Sequence, residues 1–195
     1  IAEKSMSLQL ESSAAATASI SLHQRIALRD QRADIPEFLS PQIAAVAAQL
    51  LENPAAKNAI SEKFWKRVKQ QGTPIVEPLN EHQAIMTFLV RGAKHNVVLI
   101  GAPSGGKQPL ASLPNSDIWY KSFIVPLDTR LSYRLAIDVP ELPASANGRW
   151  GRLLAVAKAD PLNHYPLPTV ASDPYRQEST IELPQVPAQP WSQEK

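Results

Sequence analysis

Residues 101–107 read GAPSGGK and follow an apolar run at Asn96–Ile100, so the spacing G-x-x-x-x-G-K raises phosphate-binding chemistry. Such a loop cradles phosphate oxygens with backbone N–H groups, and a Ser or Thr directly after the lysine reaches magnesium. Gln108 stands at that place, and Pro109 and Pro114 bracket only four residues where a helix should begin. LAID at 135–138 imitates a second acidic motif, but Ser132 and Arg134 alternate into its strand. A glycine-rich hairpin loop is the reading these residues support.

Ser104 in the same loop raises hydrolytic chemistry. An esterase nucleophile needs G-x-S-x-G on a strand-to-helix turn. Here Pro103-Ser104-Gly105 puts Gly101 one position too far upstream, and the pentapeptide occurs nowhere else. A triad also needs a histidine with an acidic orienter. His23, His82, His95 and His164 all stand in polar or turn-like contexts, so no catalytic residue is assigned. No two of these histidines share helix-face spacing, so no metal site or cofactor is expected. The chain has no cysteine, which removes thiolate ligands, thiol nucleophiles and disulfides.

Aromatic and basic residues offer a different chemistry. Trp119, Tyr120, Tyr133, Trp150, Arg91, Lys121, Arg134, Arg149 and Arg152 fall on expected strands or in the loop after them. Arg and Lys pair with anionic oxygens, while Trp and Tyr stack on flat rings. Tyr133 lies on a clean apolar face and reads as core. Trp150 sits in a polar stretch, ASANGRWGR (144–152), read as a loop, and loops on a rigid scaffold are where binding residues concentrate. Arg149, Trp150, Arg152, Trp119 and Lys121 form the candidate substrate-binding set.

The elements that must position them are legible from period and punctuation. Ser40 is a natural N-cap and Pro41 suits the first helical position. Ile43, Val46, Ala47, Leu50 and Leu51 make one apolar stripe. Asn53-Pro54 ends that helix and can cap the next, whose stripe is Ile60, Phe64 and Val68, with Gly72 at its end. From Thr73 the period drops to two, and Ile85–Val90, Asn96–Ile100, Ile118–Val125 and Leu131–Ile137 read as strands. The expected fold is mainly β: an immunoglobulin-like antiparallel β-sandwich with an N-terminal helical hairpin and a Pro-rich C-terminal strap. The expected organisation is an arm at 1–35, the hairpin at 36–72, the sandwich at 73–165, and a Pro-rich linker at 166–195. Net charge is +2 with no basic stripe, which argues against nucleic acid, and no apolar run reaches the ~18 residues of a membrane span.

Several phrases together resemble the N-terminal domain of the enterochelin (enterobactin) esterase family. They are FWKRVKQQGTPIVEP (64–78), TFLVRG (87–92), LPNSDIWYKSF (113–123), SYRL (132–135), ADPLN (159–163) and IELPQVPAQPW (181–191), and they occur in order. The resemblance implies a domain preceding a catalytic α/β-hydrolase domain that cleaves ferric catecholate siderophores. It implies that the Ser, His and Asp of catalysis belong to that partner, and that 181–191 connects to it. It also implies a cytoplasmic setting, with the periplasm as alternative. Many relatives place an aromatic where Val90 stands, so a substrate contact made by that aromatic would be lost here. Two rivals remain: a carbohydrate-binding module, marked by two exposed coplanar aromatics on one face, and a purely structural docking domain.

Overall fold

The computed structural model describes residues 38–140, 149–169 and 174–188. The arm expected at 1–35 and the end of the expected linker lie outside them.

Ser40 accepts a hydrogen bond from the Ile43 amide and caps helix α1 (Pro41–Glu52), with Pro41 in its first turn. This satisfies a donor that the open helix end would leave orphaned. Ile43, Val46, Ala47 and Leu50 are buried. The stripe stops there, for Leu51 is 74% exposed. Asn53 closes the helix, and a 3₁₀ turn at Pro54–Ala56 separates it from helix α2 (Lys57–Gln71). Asn53 therefore does not cap α2, whose N-cap is Ala56 without a side-chain bond. Gly72 ends α2 with φ +84°, a conformation that favours glycine.

Among the described residues, ten strands follow the hairpin. Strands β1 (Ile75–Pro78), β2 (Gln83–Arg91), β5 (Ala111–Ser112) and β6 (Ile118–Pro126) form one antiparallel sheet in the order β1-β2-β6-β5. The second sheet has β4 (Lys107–Pro109), β3 (Val97–Ile100), β7 (Arg130–Ile137), β10 (Glu178–Glu182) and β9 (Pro166–Leu167) in that order. Strand β8 (Ala157–Lys158) also pairs with β7. Prolines stand in three edge strands, Pro78 in β1, Pro109 in β4 and Pro166 in β9, where a missing ladder donor does least harm.

The layers follow from which face each side chain takes. Leu89, Ile118 and Tyr120 pack with Ile43, Leu50, Phe64 and Val68, so the hairpin covers the outer face of the first sheet. Met86, Phe88, Val90, Trp119 and Val125 turn the other way and meet Leu99, Tyr133 and Leu135 of the second sheet. Strand β2 is consequently buried on both faces from Ala84 to Val90. Half-buried alternation holds for β7 only as far as Leu135, since Ala136 is buried on the other face, and it fails for β2 because the hairpin is a third layer. A fourth is helix α3 (Arg149–Val156), which rests Leu153 and Val156 on Ala136, Val98 and Ile100. Each fully buried large side chain contributes roughly 1.5–3 kcal/mol.

Two expectations are corrected. The stretch through Arg152 was read as loop, yet Arg149 opens a helix, because Leu153 and Val156 recur at i and i+3 against the sheet. The segment from 166 was read as linker, yet it supplies β9 and β10. Strand β10 fits between Pro174 and Pro184 and turns Ser179 and Ile181 inward on a period of two.

Candidate functional site

Three of the sequence phrases meet at one buried carboxylate. Asp160 of ADPLN is 4% exposed. Its Oδ2 accepts from Thr73 Oγ1 at 2.7 Å and from the Tyr133 hydroxyl at 2.9 Å. Its Oδ1 accepts from the Leu162 amide at 2.9 Å, and its own amide donates to Ser179 Oγ at 2.7 Å. Asn163 extends the knot by donating to the Thr73 and Thr180 carbonyls. Strands β1, β7 and β10 are thereby tied at one point. Burial pushes the Asp160 carboxyl above the ordinary carboxylate value, against the opposing pull of the Thr73, Leu162 and Tyr133 bonds. Burial also pushes the Tyr133 phenol up, with the Asp160 charge adding to it. A carboxylate closed off in this way cannot meet a solute; it fixes geometry.

Glu77 of GTPIVEP does the same for the hairpin. It accepts from the Ser40 hydroxyl and, at 3.0 Å, from the Gln42 amide. A negative group at the start of α1 is favourably placed against the helix dipole, and it anchors the helix to β1.

A third junction joins FWKRV, TFLVRG and LPNSD. Asp117 accepts from Trp65 Nε1 at 2.9 Å and from Arg91 Nε at 2.8 Å, while Arg91 also pairs with Glu62. Burial alone would raise the Asp117 carboxyl, but the Trp65, Arg91 and Ser61 bonds together bring it below its ordinary value. This junction borders an open cleft of about 470 Å³ between α2 and the β5–β6 turn. Arg91 is committed to two carboxylates there, so the cleft carries little unbalanced positive charge.

Of the candidate substrate residues, Trp119 and Lys121 share the inner face of β6, whereas Arg152 lies on α3. Trp119 is 7% exposed, packs between the sheets, and donates its indole N–H to the Ala93 carbonyl at 3.0 Å. Lys121 is half-buried on the same face of β6, opposite Phe88. Arg152 lies on α3, beyond the second sheet, and donates to the Pro140 carbonyl at 3.2 Å. The side chains of Arg149 and Trp150 lie outside the described residues. Val90 faces Trp119 in the sheet-to-sheet core. Trp65 and Trp119 are both buried, so neither offers the open platform a glycan reading needs. The glycine-rich motif is the turn of the β3–β4 hairpin, and a Cβ on Gly101 would lie 2.3 Å from the Ser132 carbonyl oxygen. Among the described residues no hydrogen bond joins a histidine side chain to a serine, and no cluster of three metal-ligating side chains occurs. No helix among them is long and apolar enough to cross a membrane.

Sequence reasoning missed Asp160, Glu77 and Asp117. The available signal was a carboxylate inside each of three separate phrases, but only the fold shows that their partners converge.

Comparison with known proteins places these features in a family. Residues 85–192 match the family described as enterochelin esterase, N-terminal. The iron(III) enterobactin esterase of Dickeya dadantii is 31% identical over 147 residues, covering 63% of this chain and 33% of that protein. Its counterpart in Yersinia enterocolitica is 30% identical over 141 residues, covering 60% of this chain and 39% of that protein. The chain therefore spans between a third and two fifths of the length of these relatives. Among solved structures, the Shigella flexneri enterobactin esterase in the presence of 2,3-dihydroxy-N-benzoyl-glycine superposes with a TM-score of 0.52 at 25% identity, over 69% of this chain and 38% of that one. The Salmonella typhimurium ferric enterobactin esterase, at 22% identity and a TM-score of 0.51, shares the fold.

Proposed function

The chain belongs to the enterochelin esterase family as its N-terminal domain, and from that premise we propose that it is a non-catalytic domain covering the cleft in which an α/β-hydrolase partner cleaves a ferric catecholate siderophore. The observation that carries this reading is the family match over 85–192, which takes in nearly all of β2, every strand after it, Tyr133 and Asp160 of the knot, and Arg91 and Asp117 of the junction. The acidic members of these phrases are used to hold the scaffold rigid, which suits a wall and not a reaction centre. Iron belongs to the substrate in this reading.

At residue level, Arg149, Trp150 and Arg152 at the start of α3 form the cationic and aromatic rim presented to the siderophore. An anion is favoured at a helix N-terminus, and guanidinium groups pair with catecholate oxygens. Trp119 and Lys121 support that wall from inside the sandwich.

The test compares the native-length protein with a form lacking this domain, using ferric enterobactin and a small activated ester as substrates. The expected result is a fall of at least about tenfold in kcat/KM for the siderophore, from lost positioning, with small-ester turnover retained. Equal siderophore turnover without the domain, or ester hydrolysis by residues 1–195 alone, overturns the reading.

A further inference from the structure

Tyr165 and Leu167 are 70% and 62% exposed, yet both belong to β9 or its immediate approach at the edge of the second sheet. The backbone beneath Tyr165 is firmly held. Its carbonyl accepts from the Thr180 amide at 3.0 Å and from Thr180 Oγ1 at 2.6 Å, and its amide donates to Asn163 Oδ1 at 2.9 Å. Asn163 is part of the knot around Asp160 through its bond to the Thr73 carbonyl. A large amphipathic side chain is thus displayed in solvent on a scaffold whose conformational freedom has already been removed. Pre-setting an anchor in this way lowers the ordering penalty of association.

The same tyrosine walls a concavity of about 200 Å³, with Pro74, Val76 and Ile181 among its apolar lining and His164 beside it. A protruding aromatic next to an apolar hollow is the pairing found at the centre of protein interfaces, where Tyr is enriched. The hollow does not suit a siderophore. Ligand pockets run from about 300 Å³ upward and hold anions with cationic groups. This one is smaller, and among the described residues no Arg or Lys lines it.

We propose that Tyr165, Leu167 and the hollow walled by Pro74, Val76 and Ile181 form the surface on which the catalytic portion of the esterase docks, with an apolar side chain of that portion seated in the hollow. This rests on the functional reading above. The occupant is chosen because the family relatives carry about one and a half to two times as much polypeptide again outside the part this chain matches. The surface also lies on the strand beside β10, from which the chain runs on through Leu183 and Gln185. The knot at Asp160 then has a purpose beyond stability, since it fixes both walls of the hollow.

Hydroxyl-radical footprinting of the native-length polypeptide, isolated from its source, against residues 1–195 alone tests this directly. Tyr165 and Leu167 are expected to label about fivefold or more slowly in the longer protein, as befits the desolvated centre of an interface. Leu51, 74% exposed on the hairpin, serves as the unprotected control. Tyr165→Ala in the longer protein should restore labelling of Leu167 without altering the fold, because the replaced ring is in solvent. A longer polypeptide in which Leu51 is protected and Tyr165 labels as before overturns this surface while leaving the functional reading intact. A source polypeptide with no catalytic portion overturns both, whereas self-association through Tyr165 that persists in the longer protein overturns this surface alone.

Discussion

The Tyr133 hydroxyl donates to Asp160 Oδ2 at 2.9 Å across 27 residues of chain. Tyr133 is 1% exposed and its ring meets Phe88 edge-on, with centroids 4.8 Å apart. The tyrosine therefore has two roles: its ring fills the sheet-to-sheet core, and its hydroxyl reaches the rim, where Asp160 gathers Thr73 and Leu162 as well. The expectation that Tyr133 is core holds, and the polar end of the same side chain ties SYRL to ADPLN.

Asp160→Ala should be severely destabilising. It leaves the Thr73 hydroxyl, the Tyr133 hydroxyl and the Leu162 amide without their buried acceptor, and one stranded polar group costs about 1–3 kcal/mol. A loss of roughly 3 kcal/mol or more in urea unfolding is expected. Asp160→Asn keeps an acceptor for Leu162, and both hydroxyls can reverse toward its amide, so the loss should be less than half as large. Equal losses would show that charge, not acceptor capacity, holds the knot.

The two aspartates predict opposite pH slopes. Asp160 has a raised folded-state pKa because of burial, so its favourable contribution is full below the unfolded carboxylate value and is lost as pH rises through the folded one. The stability of wild type relative to Asp160→Asn should therefore decline from pH 4 to pH 7.5. Asp117 is lowered: its contribution is present above the unfolded value and lost as pH falls through the folded one. Wild type relative to Asp117→Asn should decline on acidification instead. Parallel slopes in the two difference curves would contradict the assigned environments.

Ser40→Ala removes a cap and the hydroxyl that donates to Glu77. A cost of about 1–2 kcal/mol is expected from the cap alone. Glu77→Ala leaves Ser40 and the Gln42 amide without their acceptor and should cost at least as much. A double-mutant cycle should show coupling of about 0.5 kcal/mol or more, the mark of residues in one network. Simple additivity would mean that β1 and α1 are joined only by apolar packing.

Gly101→Ala tests the identity of the glycine-rich motif. With φ +85° and a Cβ position 2.3 Å from the Ser132 carbonyl oxygen, no side chain fits without moving β7. The expected loss is about 2–3 kcal/mol, from backbone strain plus displacement. Gly105→Ala has an empty surround, so strain at its φ of +74° acts alone and its loss should be smaller. ATP should alter the unfolding of neither variant.

Much of this architecture was readable from the sequence, for identifiable reasons. Ser40-Pro41 and Gly72 bound the hairpin because capping chemistry is local, and β7 shows its period of two from Arg130 to Leu135 because its faces differ there. Strand β10 escaped because five residues between prolines look like linker until β7 is there to pair with them. Helix α3 escaped because Gly151 and the polar residues before it obscure a stripe that only the outer face of the second sheet makes meaningful. The candidate site fared worse. Aromatic identity does not tell inward from outward on a strand, so Trp119 read like a platform although its neighbours enclose it. Asp160, Glu77 and Asp117 are long-range knots, and nothing in a single chain reveals which distant donors will face them.

Trp119 and Trp150 can be separated by one pair of substitutions. Trp119→Phe removes the N–H that Ala93 accepts and part of the packing against Val90, so it should cost about 1–3 kcal/mol of stability. In the native-length protein it should leave KM for ferric enterobactin within about twofold, because a side chain buried between two sheets meets no solute. Trp150→Ala should do the reverse if the start of α3 is the substrate rim: KM rises about tenfold through lost ring stacking, while the urea midpoint of the domain stays close to wild type. A Trp119→Phe variant with normal stability and a raised KM would place the siderophore against β6, and the cleft wall would have to be redrawn around Lys121.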